Sequence, residues 1–174
     1  MAQSSSTLTC LSEAFVISCG AITLDPVEKK ILLIRQKKSG EIFLPKGRKN
    51  IGESLEDTAV RETYEETGFR VTLLPLRIPT LATPGTTVEQ ANELNTEPIA
   101  FSQRLTDNNT LKLIFWFSAK GDSTAAPDVG TQEEGEDFDP IWVDLDSTIE
   151  TLTFADDRRI VGRFIGLMPS YFGA

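Results

Sequence analysis

Glu62, Glu65 and Glu66 stand at positions i, i+3 and i+4. On an α-helix these positions fall within an arc of about 100°, so three carboxylates share one face. Carboxylates that close repel one another when ionised, and a divalent cation is the usual reason to keep them together. A glycine loop, Gly47 to Gly52, leads into the segment, followed by a lone Glu53, the pair Arg61-Glu62 and a closing Gly68. A solvated acidic helix face is the bland alternative for any E-x-x-E-E run. Here the glycine loop and Glu53 favour chemistry. The chain has no histidine, which excludes a Ser-His-Asp triad and any histidine base. Its two cysteines, Cys10 and Cys19, are too few for a thiolate zinc site. Hard oxygen donors favour Mg2+ or Mn2+. Acid–base work then falls to carboxylates, lysine, tyrosine or a metal-bound water.

The local signals predict a helix from Leu55 to Thr67. Ser54 suits the N-cap, Glu56 and Asp57 sit where the helix dipole favours acids, and Gly68 suits the left-handed stop. Val60, Thr63, Tyr64 and Thr67 lie opposite the acidic face and are expected to pack on the core. Arg61 and Glu65 form an i,i+4 pair, so the acids have a second possible partner besides a metal.

Written as G-x5-E-x7-R-E-U-x-E-E-x-G-U, with U a bulky aliphatic residue, the run from Gly47 to Phe69 resembles the Nudix box. Gly47, Glu53, Arg61, Glu62, Glu65, Glu66 and Gly68 match; Thr63 departs from the first apolar position, and Phe69 is aromatic at the last. The resemblance implies a metal-dependent pyrophosphohydrolase with an α/β/α sandwich and a mixed sheet. It implies metal ligation by Glu62, Glu65, Glu66 and the Gly47 carbonyl, with Glu53 orienting Arg61. It also implies that a late-loop glutamate can join the site as ligand or base; Glu133, Glu134 and Glu136 are the candidates. The general base is Glu65 or one of these. A non-catalytic phosphate-binding module on the same fold is the alternative of another class, and the intact acidic positions favour catalysis.

The net charge of −9 argues against general nucleic-acid binding, and no DNA or membrane partner is expected. Yet Arg35, Lys37, Lys38, Lys46, Arg48 and Lys49 place six of 17 basic residues just before the acidic helix. A basic rim beside a divalent site suits a substrate with many phosphates. Leu44-Pro45-Lys46-Gly47 followed by Arg48-Lys49 is similar to Nudix enzymes acting on diphosphoinositol polyphosphates and diadenosine oligophosphates. The inositol pyrophosphate is the first expectation, since no single aromatic nominates itself as an adenine platform, and the diadenosine oligophosphate is the alternative. Arg104 and Arg158 are secondary phosphate contacts; Trp116, Trp142 and Phe164 are expected in the core.

The surrounding elements read as α/β. Residues 1–11 form a flexible tail and 12–174 a single domain. Strands are expected at 14–24, 30–36, 41–44, 70–78, 97–105, 111–120 and 139–145, and a second helix at 154–168. Residues 79–96 form a long loop and 121–137 an acidic one. No apolar run is long enough to span a bilayer. The polar start and the two cysteines suit a cytosolic or nuclear protein with reduced thiols.

Overall fold

The computed structural model describes residues 9–81 and 93–169. The expected flexible tail lies outside the described residues for 1–8, as does the centre of the 79–96 loop. One mixed sheet of eight strands organises the rest. Its strands are β1 (Phe15–Asp25), β2 (Lys30–Gln36), β3 (Ile42–Phe43), β4 (Lys46–Arg48), β5 (Thr72–Leu73), β6 (Ala100–Leu105), β7 (Leu111–Lys120) and β8 (Phe138–Asp144). The helices are α1 (Leu55–Thr67), α2 (Thr148–Thr151) and α3 (Ala155–Leu167). β1 runs parallel to β7 and antiparallel to both β2 and β4.

β1 is apolar on both faces, as a strand covered on both sides must be. Its side chains alternate between two cores. Ile22 and Leu24 join Ile114 and Trp116 under the α3 residues Ile160, Val161, Phe164 and Leu167. Cys19 and Ala21 join Phe117, Ala119 and the α1 residue Ala59 on the other face. The helices therefore cover opposite faces of the sheet, which is the expected sandwich. Trp116 and Phe164 are in the core, and Trp142 meets Phe69 edge to face at 5.4 Å.

Three expectations change. The strand at 70–78 shrinks to Thr72–Leu73, because Pro75 has no N–H for a ladder. Leu74, Leu76 and Ile78 are still buried, and Leu76 keeps a single antiparallel bridge, to Asn95. The segment 46–48, expected as loop, is a short strand with Gly47 opposite Cys19. Tyr64 is half-buried, and its hydroxyl donates to Asp128 at 2.8 Å instead of entering the core. No helix among the described residues is long and apolar enough to cross a membrane.

Candidate active site

The helix α1 forms where its end signals predict. The Ser54 Oγ accepts the Asp57 N–H at 3.0 Å, and Gly68 turns left-handed at φ 74° with its N–H on the Tyr64 carbonyl. Thr63, the departure from the box pattern, is buried; its hydroxyl donates to the Ala59 carbonyl at 2.8 Å. The helix thus absorbs the hydroxyl without a polar cost.

Arg61 is the hub of the site. Its Nε donates to Glu53 Oε1 at 2.7 Å and its Nη2 to Glu53 Oε2 at 2.9 Å. Nη2 also donates to the Arg48 carbonyl at 2.8 Å, tying helix to loop. Nη1 lies between Glu62 Oε1 at 2.7 Å and Glu65 Oε2 at 2.6 Å. A planar guanidinium with five donors is the side chain that can serve all of these at once. Its hydrogen bonds hold the Glu53 carboxyl down at about 2, well below the usual carboxylate range.

Glu66 is 3% exposed, and its carboxylate accepts the Lys46 N–H at 2.6 Å. Burial pushes its carboxyl up to about 8, with Glu136 and Glu62 adding to the rise and Lys46 opposing it. Burial likewise raises Glu62, against the opposing pull of Arg61. Gly47 sits directly against Glu62: a Cβ there would collide with the Glu62 carboxyl group. β4 must carry glycine at this position so that backbone can meet carboxylate.

These groups face a cleft of about 460 Å³. Lys46, Gly47, Arg48 and Asn50 line it from β4 and the turn after it, Arg61, Glu62 and Glu66 from α1, Lys112 from β7, and Glu133 and Glu136 from the late acidic loop. Glu65 turns to Arg61 and lies outside this lining, as does Glu134. Among the described residues, no three acids, histidines or cysteines stand close enough together to hold a metal. The reason is visible: Arg61 bridges Glu62 to Glu65, while Glu66 faces the Lys46 amide.

Four of the six residues of the expected basic rim point elsewhere. Arg35 pairs with Asp139 at 3.0 Å and Lys37 with Asp137 at 2.6 Å, where the end of β2 meets the start of β8. Lys38 is exposed beside them, and the Lys49 Nζ donates to the Asn50 carbonyl at 3.0 Å. None of these four lines the cleft. Arg158 donates to the carbonyls of Leu152 and Thr153, which makes it a local backbone brace. Lys112, absent from the expected site, enters the cleft from β7. Burial, then Lys46, Arg104 and Arg48, bring its amine down to about 8.

A second pocket of about 280 Å³ adjoins the cleft, and Lys46 lines both. Phe43, Phe154 and Trp116 give it aromatic walls, and Ser102, Gln103, Asp156 and Asp157 supply polar atoms. The Phe43 and Phe154 rings lie 6.0 Å apart, and the Lys46 Nζ sits 5.1 Å from the Phe43 centroid. Asp157 is 9% exposed and accepts the Leu44 N–H at 3.2 Å; burial raises its carboxyl.

Comparison with known proteins agrees with this geometry. Residues 15–164 match the NUDIX domain. A curated relative, the 8-oxo-(d)GTP phosphatase of Mycolicibacterium smegmatis, is 23% identical over 146 residues. That match covers 84% of this chain but only 37% of the relative's length. The MutT protein from Methanosarcina mazei Go1 superposes with TM-score 0.58 at 21% identity, covering 90% of this chain and 97% of the other. The Ap4A hydrolase of C. elegans gives 0.56 at 15% identity, covering 88% and 98%. A family match across this much of the sequence, on this fold and with an intact acidic box, places the chain in the Nudix hydrolase family.

Proposed function

We propose that the protein hydrolyses a diphosphate linkage in a nucleoside-bearing polyphosphate, of the dinucleoside oligophosphate or nucleoside triphosphate class. The observation that carries this reading is the aromatic pocket joined to the carboxylate cleft through Lys46. A flat aromatic heterocycle suits Phe43 and Phe154, with polar atoms at the pocket wall to read its edge. An inositol ring offers no π face for such walls. Two of the similar proteins carry nucleotide names, an 8-oxo-(d)GTP phosphatase and an Ap4A hydrolase, which supports the same direction. A diphosphoinositol polyphosphate stays as the second reading, because Lys46, Arg48 and Lys112 concentrate positive charge at the cleft.

The donor set fits Mg2+ or Mn2+. All candidate ligands are oxygens, and the close approach of Gly47 to Glu62 sets a backbone carbonyl strand beside a carboxylate. Glu62, Glu66 and the Gly47 carbonyl, with Glu65 alongside, would hold the ion. When bound, it supplies charge neutralisation of the phosphates and acidification of a water. The chain's own residues do the rest. Lys46 and Arg48 bind phosphate oxygens and orient the diphosphate. Arg61 fixes Glu62 and Glu65 in place and ties α1 to the loop through Glu53 and the Arg48 carbonyl. Glu136 lines the cleft and is the late-loop candidate for taking a proton from water; Glu65 is the alternative.

The test is phosphate release with Mg2+ or Mn2+ from a panel of diadenosine oligophosphates, nucleoside triphosphates and diphosphoinositol polyphosphates, with Glu66→Gln as control. The reading requires turnover of nucleoside substrates that Glu66→Gln abolishes. It also requires Phe154→Ala to raise their KM about tenfold, the order expected for one lost stacking contact. Turnover confined to diphosphoinositol polyphosphates would replace it with the second reading. Metal-dependent binding without turnover would leave a phosphate-binding module.

A further inference from the structure

Lys112 lines the carboxylate cleft and Arg104 lines the aromatic pocket. The two are direct cross-strand partners on β7 and β6. Directly opposed like charges destabilise a sheet, and this pair is worse placed than most. Lys112 is half-buried, and Lys46 and Arg48 bear on it as well. Neither Lys112 nor Arg104 makes an ion pair or side-chain hydrogen bond among the described residues. Glu66, which lines the same cleft from α1, is an acid that bears on Lys112. In the same register, Ser18 of β1 shares the Lys112 face between Arg48 and Ile114. Its Oγ is fully buried and has no hydrogen-bond partner among the described residues. This face of the sheet thus concentrates cations beside the two cavities that Lys46 joins, with an unused polar atom buried opposite Arg48.

We infer that Lys112 and Arg104 form a phosphate-binding relay, carrying the polyphosphate chain of the substrate from the carboxylate cleft to the aromatic pocket. The inference rests on the proposed reading for the nature of the substrate, but the anion site itself does not depend on it. An anion stretched along the pair satisfies both cations and removes their mutual repulsion. The relay also implies a preference for longer chains. Each phosphate beyond the scissile linkage gives Lys112 and Arg104 a further anionic group to hold.

The probe is inorganic tripolyphosphate, which has no nucleobase. Its affinity is measured by calorimetry in Mg2+ for the full-length protein carrying Glu66→Gln, alone and combined with Lys112→Met, Lys112→Arg or Arg104→Gln. Lys112→Met and Arg104→Gln should each weaken binding about tenfold, the order expected for one charge-assisted contact. Lys112→Arg should restore most of it. Thermal unfolding should show Lys112→Met at least as stable as its parent, since a repelled, half-buried charge is removed. In the otherwise wild-type protein, Lys112→Met should raise KM for nucleoside triphosphates more than for diphosphates. Unchanged tripolyphosphate affinity in both single variants would overturn the inference even if nucleotides are turned over. Tripolyphosphate binding that depends on both residues would uphold it even if no nucleotide is hydrolysed, in which case the nucleoside reading fails alone.

Discussion

Glu66 carries a cost that its function explains, and Glu66→Gln makes that cost measurable. The carboxyl is 3% exposed and has risen from 4.5 to about 8, chiefly through burial. The unfolded chain releases this proton near pH 4.5, whereas the folded chain holds it to about pH 8. Between these values the folded state binds more protons, so its stability falls as pH rises, and levels off above about pH 8. At about 1.4 kcal/mol for each tenfold change in proton affinity, a rise from 4.5 to about 8 is worth about 5 kcal/mol. Glutamine is neutral at every pH and keeps an oxygen for the Lys46 N–H. In EDTA, Glu66→Gln should therefore match wild type to within about 1 kcal/mol near pH 5. Near pH 8.5 it should be the more stable by about 3–5 kcal/mol, a Tm gain on the order of 10 °C for a domain of this size. The assay is thermal unfolding of both proteins from pH 5 to 9 in EDTA, with turnover measured in parallel in Mg2+. The stabilised variant should be inactive. A Tm difference that stays constant across that pH range would refute the reasoning.

Three further perturbations test the rest of the site. Gly47→Ala drives a Cβ into the Glu62 carboxyl group; it should cost about 1–3 kcal/mol in urea unfolding and lower turnover at least 100-fold, on the order of a displaced charge-stabilising group. Glu53→Gln removes the partner that Arg61 holds ionised, from 4.5 down to about 2. The stability this contributes is present above pH 4.5 and lost as pH falls toward 2, so the variant should be weaker by about 3 kcal/mol at pH 7 and nearly equal to wild type near pH 2. Glu136→Gln should lower kcat about 100-fold if Glu136 takes the water proton, whereas Glu134→Gln, outside the cleft lining, should stay within about twofold.

The helix and its acidic face were legible because their signals are local. Ser54, Gly68 and the i, i+3, i+4 spacing are all contained in one short stretch, and the cap and stop occur where those residues put them. The Glu53–Arg61 pairing was legible through the family resemblance and is met at 2.7 Å. The basic rim was less faithful. A run of cations says that charge is concentrated but not which way the side chains point. Arg35 and Lys37 are drawn by β2–β8 pairing to Asp139 and Asp137, a hundred residues along the chain. That pairing is invisible in the local run.

Phe43 and Phe154 meet for a similar non-local reason. Thr153 donates its N–H to the Ile42 carbonyl, and its hydroxyl accepts the Ile42 N–H at 2.8 Å, so the start of α3 is fastened to β3. The aromatic platform that seemed to be missing is created by that fastening. Lys112 did leave a trace. In the run Leu111 to Ala119 it is the one charged side chain, and it stands in phase with Ile114 and Trp116, whose face is the α3 core. A lysine on a core-facing phase has to be explained either as a strand end reaching water or as a cation held for an anion. The parallel pairing of β7 with β1 distinguishes these. It carries Lys112 beside the strand that supports Lys46 and Arg48, so the strand end opens onto the cleft and its positive charge meets more positive charge instead of bulk solvent. An isolated strand end would tolerate that lysine for nothing; three neighbouring cations make it costly without an anionic ligand, which is why the phosphate relay can be argued from packing and not from the box.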